Sequence, residues 1–192
     1  MRAVLACCAL LALAACQSLA PLPLTPWPER RAALQAVGQF EFNGQLAAAT
    51  ATEGFSASLH WQQRGPLSDL LLRAPLGVGG AHLSYDGNEL RVSDSRGMQL
   101  EGAMAQAEMQ RLFGFEPPLS SLRYWLLGVP DPGTAATETL DATQRLETLQ
   151  QGEWQVDYGE YLQTAGQWLP KRLVVHRGAV KLKLQVAHWQ LP

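Results

Sequence analysis

The chain has 192 residues, 47% hydrophobic and 17% charged, with 15 Lys and Arg against 17 Asp and Glu. A formal net charge of −2 excludes the basic footprint of a nucleic-acid binder and disfavours adhesion to anionic lipid by charge alone, so any membrane attachment has to come from acyl chains or apolar side chains. All three cysteines, Cys7, Cys8 and Cys16, fall in the first sixteen residues, which leaves the body without a disulfide or a thiolate metal site, and a body of this length can bury a core unaided.

The first segment reads as a leader. Arg2 supplies one positive charge, Ala3 to Leu13 is apolar, Ala14 and Ala15 are small, and Cys16 follows. The run is too short to span a bilayer as a helix. Residues 1–15 are therefore expected to be a lipoprotein signal peptide, with Cys16 acylated at the head of the mature chain; the other reading is a plain secretory signal cut after Ala15. Residues 16–26, carrying Pro21, Pro23 and Pro26, read as an extended tether with a reach of roughly 30 Å. From Trp27 to Pro192 the pattern is one domain without repeats.

Pro28 to Val37 predicts a short helix with proline in its first turn and Gly38 past its end. Strands then follow. Gln39 to Ala48 alternates with Phe40, Phe42, Leu46 and Ala48 on one face, and Phe55 to Trp61 alternates with Phe55, Ala57, Leu59 and Trp61. Ser68 to Arg73, Ala81 to Tyr85, Glu89 to Asp94 and Met98 to Glu101 continue an antiparallel meander, turned by Asp86-Gly87-Asn88 and Ser95-Arg96-Gly97. Ala103 to Phe113 predicts a helix with Met104, Ala107 and Leu112 on its apolar face and Gly114 at its end. A second, Leu119 to Leu127, begins after Pro117-Pro118, gathers Leu119, Leu122, Trp125 and Leu126, and stops at Gly128. Arg145 to Gln150, Trp154 to Tyr158, Arg172 to His176 and Val180 to Trp189 read as strands, the last alternating Val180, Leu182, Leu184 and Val186 against Lys181, Lys183 and Gln185.

Catalytic and metal-binding patterns are not found. His60, His82, His176 and His188 stand singly in strand contexts, without the spacing that gathers a metal. There is no Gly-x-Ser-x-Gly elbow, and Gly77-Val78-Gly79-Gly80 lacks the helix and lysine of a phosphate cradle and reads as a flexible turn. The expectation is a non-enzyme without cofactor or metal. What remains is a sheet and helices that are each apolar on one face. Either they close on a solid core, or they leave a cavity lined by Phe42, Leu46, Leu59, Trp61, Leu72, Leu83, Leu112, Leu122 and Leu126. A pocket for acyl chains would be uniformly apolar, since each buried methylene contributes about 0.8 kcal/mol. Ala74 to Gly80 is an uncharged loop in which Leu76 is either pushed into solvent or folded back into the core.

These residues resemble, over nearly the whole chain, the LolB family of outer-membrane lipoprotein receptors. The resemblance is carried by the lipobox ending at Cys16, Trp27, Gly38 through Gly44, Trp61-Gln62-Gln63, Pro75-Leu76-Gly77, Pro118-Leu119 with Leu122, and Trp125-Leu126-Leu127-Gly128-Val129-Pro130. Gln150 to Tyr158, Tyr161, Leu169-Pro170 and Lys181-Leu182-Lys183-Leu184 with Trp189 complete it. It implies a mainly β, α+β fold: a half-open antiparallel barrel of about eleven strands under a helical lid, with an apolar cavity. It also implies a monomer that takes acylated lipoprotein cargo from a LolA-like periplasmic carrier and releases it into the inner leaflet of the outer membrane, using no nucleotide. The membrane-inserting loop of the family falls on Leu76, flanked by Pro75 and Gly77, and Gln17 is compatible with delivery to the outer membrane. Glu153 departs from the family pattern, because many relatives run Gly-Trp directly, and it leaves the register of that hairpin open. The alternative function is a lipid-anchored protein of the same fold that carries free lipids or senses envelope stress.

Overall fold

A computed structural model describes residues 25–75, 79–94 and 96–192; Cys16, Leu76 and Gly77 lie outside the described residues. Period-two burial builds the centre of the sheet. In β1 (Gln39–Ala49) Phe40, Phe42, Leu46 and Ala48 are buried while Asn43 and Gln45 are exposed, and in β2 (Gly54–Arg64) Ala57, Leu59, Trp61 and Gln63 are buried. The meander continues through β3 (Leu67–Arg73), β4 (Gly80–Tyr85), β5 (Leu90–Asp94) and the short edge strand β6 (Gln99–Glu101). The second half comprises β7 (Ala136–Leu140), β8 (Leu146–Gln151), β9 (Trp154–Tyr158), β12 (Arg172–Arg177) and β13 (Val180–Gln190), with β10 (Tyr161–Thr164) and β11 (Gln167–Pro170) forming a separate ribbon. The large sheet has eleven antiparallel strands in the order β6-β5-β4-β3-β2-β1-β13-β12-β9-β8-β7. The first and last strands of the domain thus meet at its middle, and β6 and β7 are its open edges.

One register shift decides which side chains of β13 face inward. Asn43 pairs with His188 but Gly44 pairs with Val186, so Ala187 is an extra residue in β13. The alternation that buries Leu182, Leu184 and Val186 would otherwise bury His188; the bulge exposes it and buries Trp189 instead. Gly44 permits this. A Cβ there would lie 2.3 Å from the Gln185 carbonyl oxygen, closer than any real side chain approaches.

Three helices close the concave face. α1 (Trp27–Gln35) is slightly shorter than the expected Pro28 to Val37, because the Val37 amide bonds back only three residues, to the Leu34 carbonyl, and tightens the last turn. α2 (Gly102–Phe113) ends at Gly114 in the left-handed conformation, as its sequence predicts. Its buried face is not the expected one. Ala105, Met109 and Phe113, spaced four apart, face the core, whereas Met104 is 61% exposed. A strict four-residue spacing aligns best with the Phe115 that follows, and it rotates Met104 outward. α3 (Leu119–Leu126) buries Leu119, Leu122, Trp125 and Leu126, the group its sequence gathers.

β7 and the β10–β11 ribbon are additions to the predicted elements. No residue of β7 is buried, so it carries no apolar alternation by which to be recognised. The open question at Glu153 resolves simply. Gln151 pairs with Trp154 across a two-residue turn of Gly152 and Glu153, with Gly152 at φ 59°, so the glutamate sits in the turn and leaves the strand register intact.

Cross-strand pairing also sorts the connections into two ends. The β1–β2, β3–β4, β5–β6, β8–β9 and β12–β13 connections lie at one end, here the loop end, and the β2–β3, β4–β5 and β7–β8 connections lie at the other.

Candidate functional site

Eight of the nine side chains expected around a cavity come together. Phe42, Leu46, Leu59, Trp61, Leu72, Leu83, Leu122 and Leu126 are buried within a single apolar cluster between sheet and lid. Leu112 is set apart. It is only partly buried, in a cleft of about 400 Å³ beside Phe55, Phe113 and Gly114. A larger cleft of about 560 Å³ opens between the halves of the sheet, with Leu90, Met109, Leu119 and Trp154 among its apolar walls and Glu116 and Arg177 among its polar ones. A chain of aromatic rings joins the two, with centroid separations of 5.7 Å from Phe55 to Phe113, 6.2 Å from Phe113 to Phe115, 6.1 Å from Phe115 to Trp154 and 6.5 Å from Trp154 to Trp125. The interior is therefore closed beneath the lid, with clefts at its margins.

Polar side chains that face inward lock the lid down, and composition alone does not reveal them. Gln151 on β8 accepts from the Trp125 indole at 2.7 Å and from the Asp131 amide at 3.0 Å, and donates to the Asp131 and Thr134 carbonyls at 2.7 Å each. All four bonds join α3 or its following loop to the sheet. Gln63 on β2 instead ties the β2–β3 hairpin together, accepting from the Trp61 indole at 3.0 Å and the Ser68 hydroxyl at 2.8 Å and donating to the Gly65 carbonyl at 2.9 Å. The Tyr158 hydroxyl donates to the Trp125 carbonyl at 3.0 Å, Tyr161 to Leu146 at 2.6 Å, and the Trp189 indole to Pro170 at 2.9 Å. Burial pushes the Tyr158 phenol well above its ordinary range, so it stays a neutral donor. No buried side-chain nitrogen or oxygen among the described residues lacks a partner. The signal was available in the pattern: Gln63 continues the inward phase of Ala57, Leu59 and Trp61, where a polar residue demands a buried partner.

The loop expected to carry Leu76 is defined at its neck. Arg73 pairs with Gly80, the Ala74 amide donates to the Gly79 carbonyl at 3.2 Å, and Pro75 is exposed. Gly80 has no room for a side chain, since its Cβ would meet the Leu72 carbonyl at 2.5 Å. Leu76 and Gly77 lie outside the described residues.

Charged groups are arranged for surface pairing. On the outer face His82 bonds Asp69 at 2.9 Å, His176 bonds Asp157 at 2.9 Å and His60 bonds Asn43 at 2.9 Å. Among the described residues no group of three or more His, Cys, Asp or Glu could hold a metal ion. What this arrangement can do is exchange one apolar filling for another. A sixteen-carbon chain fully transferred from water represents roughly 12 kcal/mol of apolar burial, enough to offset the parting of several core contacts.

A coiled antiparallel sheet, open at two edges and roofed by helices over an apolar interior, defines the class to which the chain belongs. The fold is similar to that of a LolA superfamily protein from Nitrosomonas europaea, with a TM-score of 0.57 at 9% identity over 88% of this chain and 94% of that one. Residues 38–189 match the family described as Outer membrane lipoprotein LolB. The outer-membrane lipoprotein LolB of Azoarcus sp. strain BH72 is 36% identical over 191 residues, 98% of this chain and 95% of that protein. That of Nitrosococcus oceani is 32% identical over 170 residues, 88% of this chain and 85% of that protein. The chain belongs to the outer membrane lipoprotein LolB family, and the outer membrane is its place. No helix among the described residues is long and apolar enough to cross a membrane.

Proposed function

We propose that this protein is a receptor that takes acylated lipoproteins from a LolA-like periplasmic carrier and inserts them into the inner leaflet of the outer membrane. The mature chain begins at Cys16, which carries its acyl anchor; residues 16–26 are the tether and residues 27–192 the receptor domain. Cargo acyl chains enter at the lid seam beside Met109, Leu119 and Trp154 and displace lid contacts over the Phe42, Leu59, Trp61, Leu122 and Leu126 interior. Leu76, flanked in sequence by Pro75 and Gly77, touches the bilayer and brings the receptor against lipid.

The observation that supports this reading most is the division of labour inside the barrel. The interior is lined by apolar side chains, while the polar groups that face inward are all satisfied by internal hydrogen bonds, those of Gln151 and Tyr158 by fastening α3. Such a site recognises acyl chains by volume and releases them wherever apolar burial is better. Transfer requires no covalent step, so nothing in it needs an acid, a base or a nucleotide.

The test is transfer of a fluorescent acylated lipoprotein from carrier to receptor and on to liposomes. Leu76→Glu is expected to form the receptor–cargo complex at wild-type yield and to lose insertion about tenfold or more, since a carboxylate resists burial in lipid. Wild-type insertion by this variant contradicts the role of the loop. Capture of free glycerolipid in place of lipoprotein would favour a lipid carrier instead.

A further inference from the structure

The mouth of the cleft between the halves of the sheet carries hydrogen-bond donors that the lid does not use. Of the four tryptophans in the core cluster, Trp61, Trp125 and Trp189 donate their indole N–H groups inside the protein, to Gln63, Gln151 and the Pro170 carbonyl. Trp154 is the exception. It is 9% exposed, it borders the cleft, and its indole N–H has no acceptor among the described residues. No fully buried side-chain nitrogen there lacks a partner, so this donor is not sealed in and opens on the cleft. Beside it, at the end of β12, the Arg177 guanidinium lies over the Trp154 ring, 4.5 Å from the centroid. An arginine has about five N–H donors. One reaches the exposed Glu153 at 3.4 Å, and the others have no partner among the described residues. A guanidinium already held on a ring loses less freedom for each hydrogen bond it goes on to form.

We infer that Arg177, with the Trp154 indole beside it, holds the ester or amide carbonyls at the heads of the cargo acyl chains. This rests on the reading that those chains enter at the seam of Met109, Leu119 and Trp154. A chain drawn fully into the interior brings its carbonyl down to the mouth and strips it of water, which is unfavourable unless a donor replaces the water. The cleft presents such donors at the edge of an apolar floor. Two carboxylates, Glu89 and Glu116, border it as well, so the mouth has no excess of positive charge to draw in a phosphate or a fatty-acid carboxylate. The occupant it suits is a neutral acceptor joined to a hydrocarbon chain.

Such contacts give the site what apolar burial alone lacks. Burial is non-directional and fixes no register of a chain along a smooth interior, whereas a carbonyl bonded at the mouth sets how deep the chain lies and leaves the peptide of the cargo outside. The bonds are readily exchanged for bonds to water, so they orient cargo without trapping it.

The experiment measures how a synthetic triacylated lipopeptide displaces diphenylhexatriene, an apolar probe without a carbonyl, from the unanchored Cys16→Ala chain. Arg177→Met keeps an unbranched apolar stem over Trp154; it is expected to bind the probe within about twofold of wild type and the lipopeptide about tenfold more weakly. Arg177→Lys, which restores a donor, is expected to recover most of that loss. Trp154→Phe keeps a ring beneath Arg177 and is expected to weaken the lipopeptide about threefold or more, again without moving the probe. Dioleoylglycerol identifies the acceptor: a parallel loss assigns the contact to ester carbonyls, and a loss confined to the lipopeptide assigns it to the amide of the acylated cysteine. Wild-type lipopeptide affinity in Arg177→Met and Trp154→Phe overturns the inference, and so does an equal loss for probe and lipopeptide, which would make Arg177 a packing residue only. A lipopeptide with a photoactivatable diazirine on one acyl chain tests the entry reading separately. Adducts within residues 109–119 or at Trp154, with affinity unchanged in the variants, remove the carbonyl contact alone; adducts confined to other segments remove the entry reading and this inference with it.

Discussion

Gln151 shows how much one side chain decides. It faces inward on β8 and gives all its hydrogen-bonding capacity to α3 and the loop that follows, through Trp125, Asp131 and Thr134. Gln151→Leu would fill the space but strand the Trp125 indole and the Asp131 amide as buried donors, at a cost of about 3 kcal/mol in urea unfolding. A loss below about 0.5 kcal/mol would mean that the lid is held by packing alone. Glycines are equally particular: Gly44 sits against the Gln185 carbonyl, and only its missing side chain lets the bulge at Ala187 form. Neither role is visible in composition. The glutamine lies in the inward phase of its strand and could have been found there, but the bulge could not, because it depends on which strand lies beside β1.

At the level of elements, alternation and capping carried most of the information. The strands from β1 to β6 and those from β8, β9, β12 and β13 each have an apolar face and a turn, and Gly114 and Gly128 end the lid helices where left-handed conformations are needed. Amphipathicity misled at α2, since three apolar residues at loose helical spacing compete with a stricter row, and the row that meets Phe115 wins. β7 was invisible because its side chains are fixed by what lies next to them. Its Glu138 binds Trp27 and Arg31 of α1, a contact more than a hundred residues apart in sequence. Glu138→Ala is therefore expected to free α1 while leaving the sheet intact: amide exchange of residues 27–37 should accelerate about fivefold or more, corresponding to roughly 1 kcal/mol, with β1 and β13 unchanged. Equal protection of α1 in both proteins would show that this clip is not what holds the helix.

For the whole molecule, the antiparallel domain is legible in order along the chain, and so is the apolar character of the interior. Whether that interior stands open is a property of packing. Eight of its expected lining residues are buried together in the closed barrel, and the clefts flanking the lid are bordered by others, Met109, Leu119 and Trp154 among them. Six of the eight are specified by strand phase and two, Leu122 and Leu126, by the apolar face of α3, whereas the seam depends on how α2 and α3 settle across the two halves of a sheet that pair through β1 and β13. Under the proposed function, acyl chains have to displace lid contacts in order to bind. The most direct test is the affinity of the unanchored Cys16→Ala chain for one lipoprotein prepared with and without its acyl chains. Preference for the acylated form by at least about a hundredfold is expected, since burying even a few methylenes supplies the roughly 2.7 kcal/mol this requires. Equal affinity for the two forms would contradict the account.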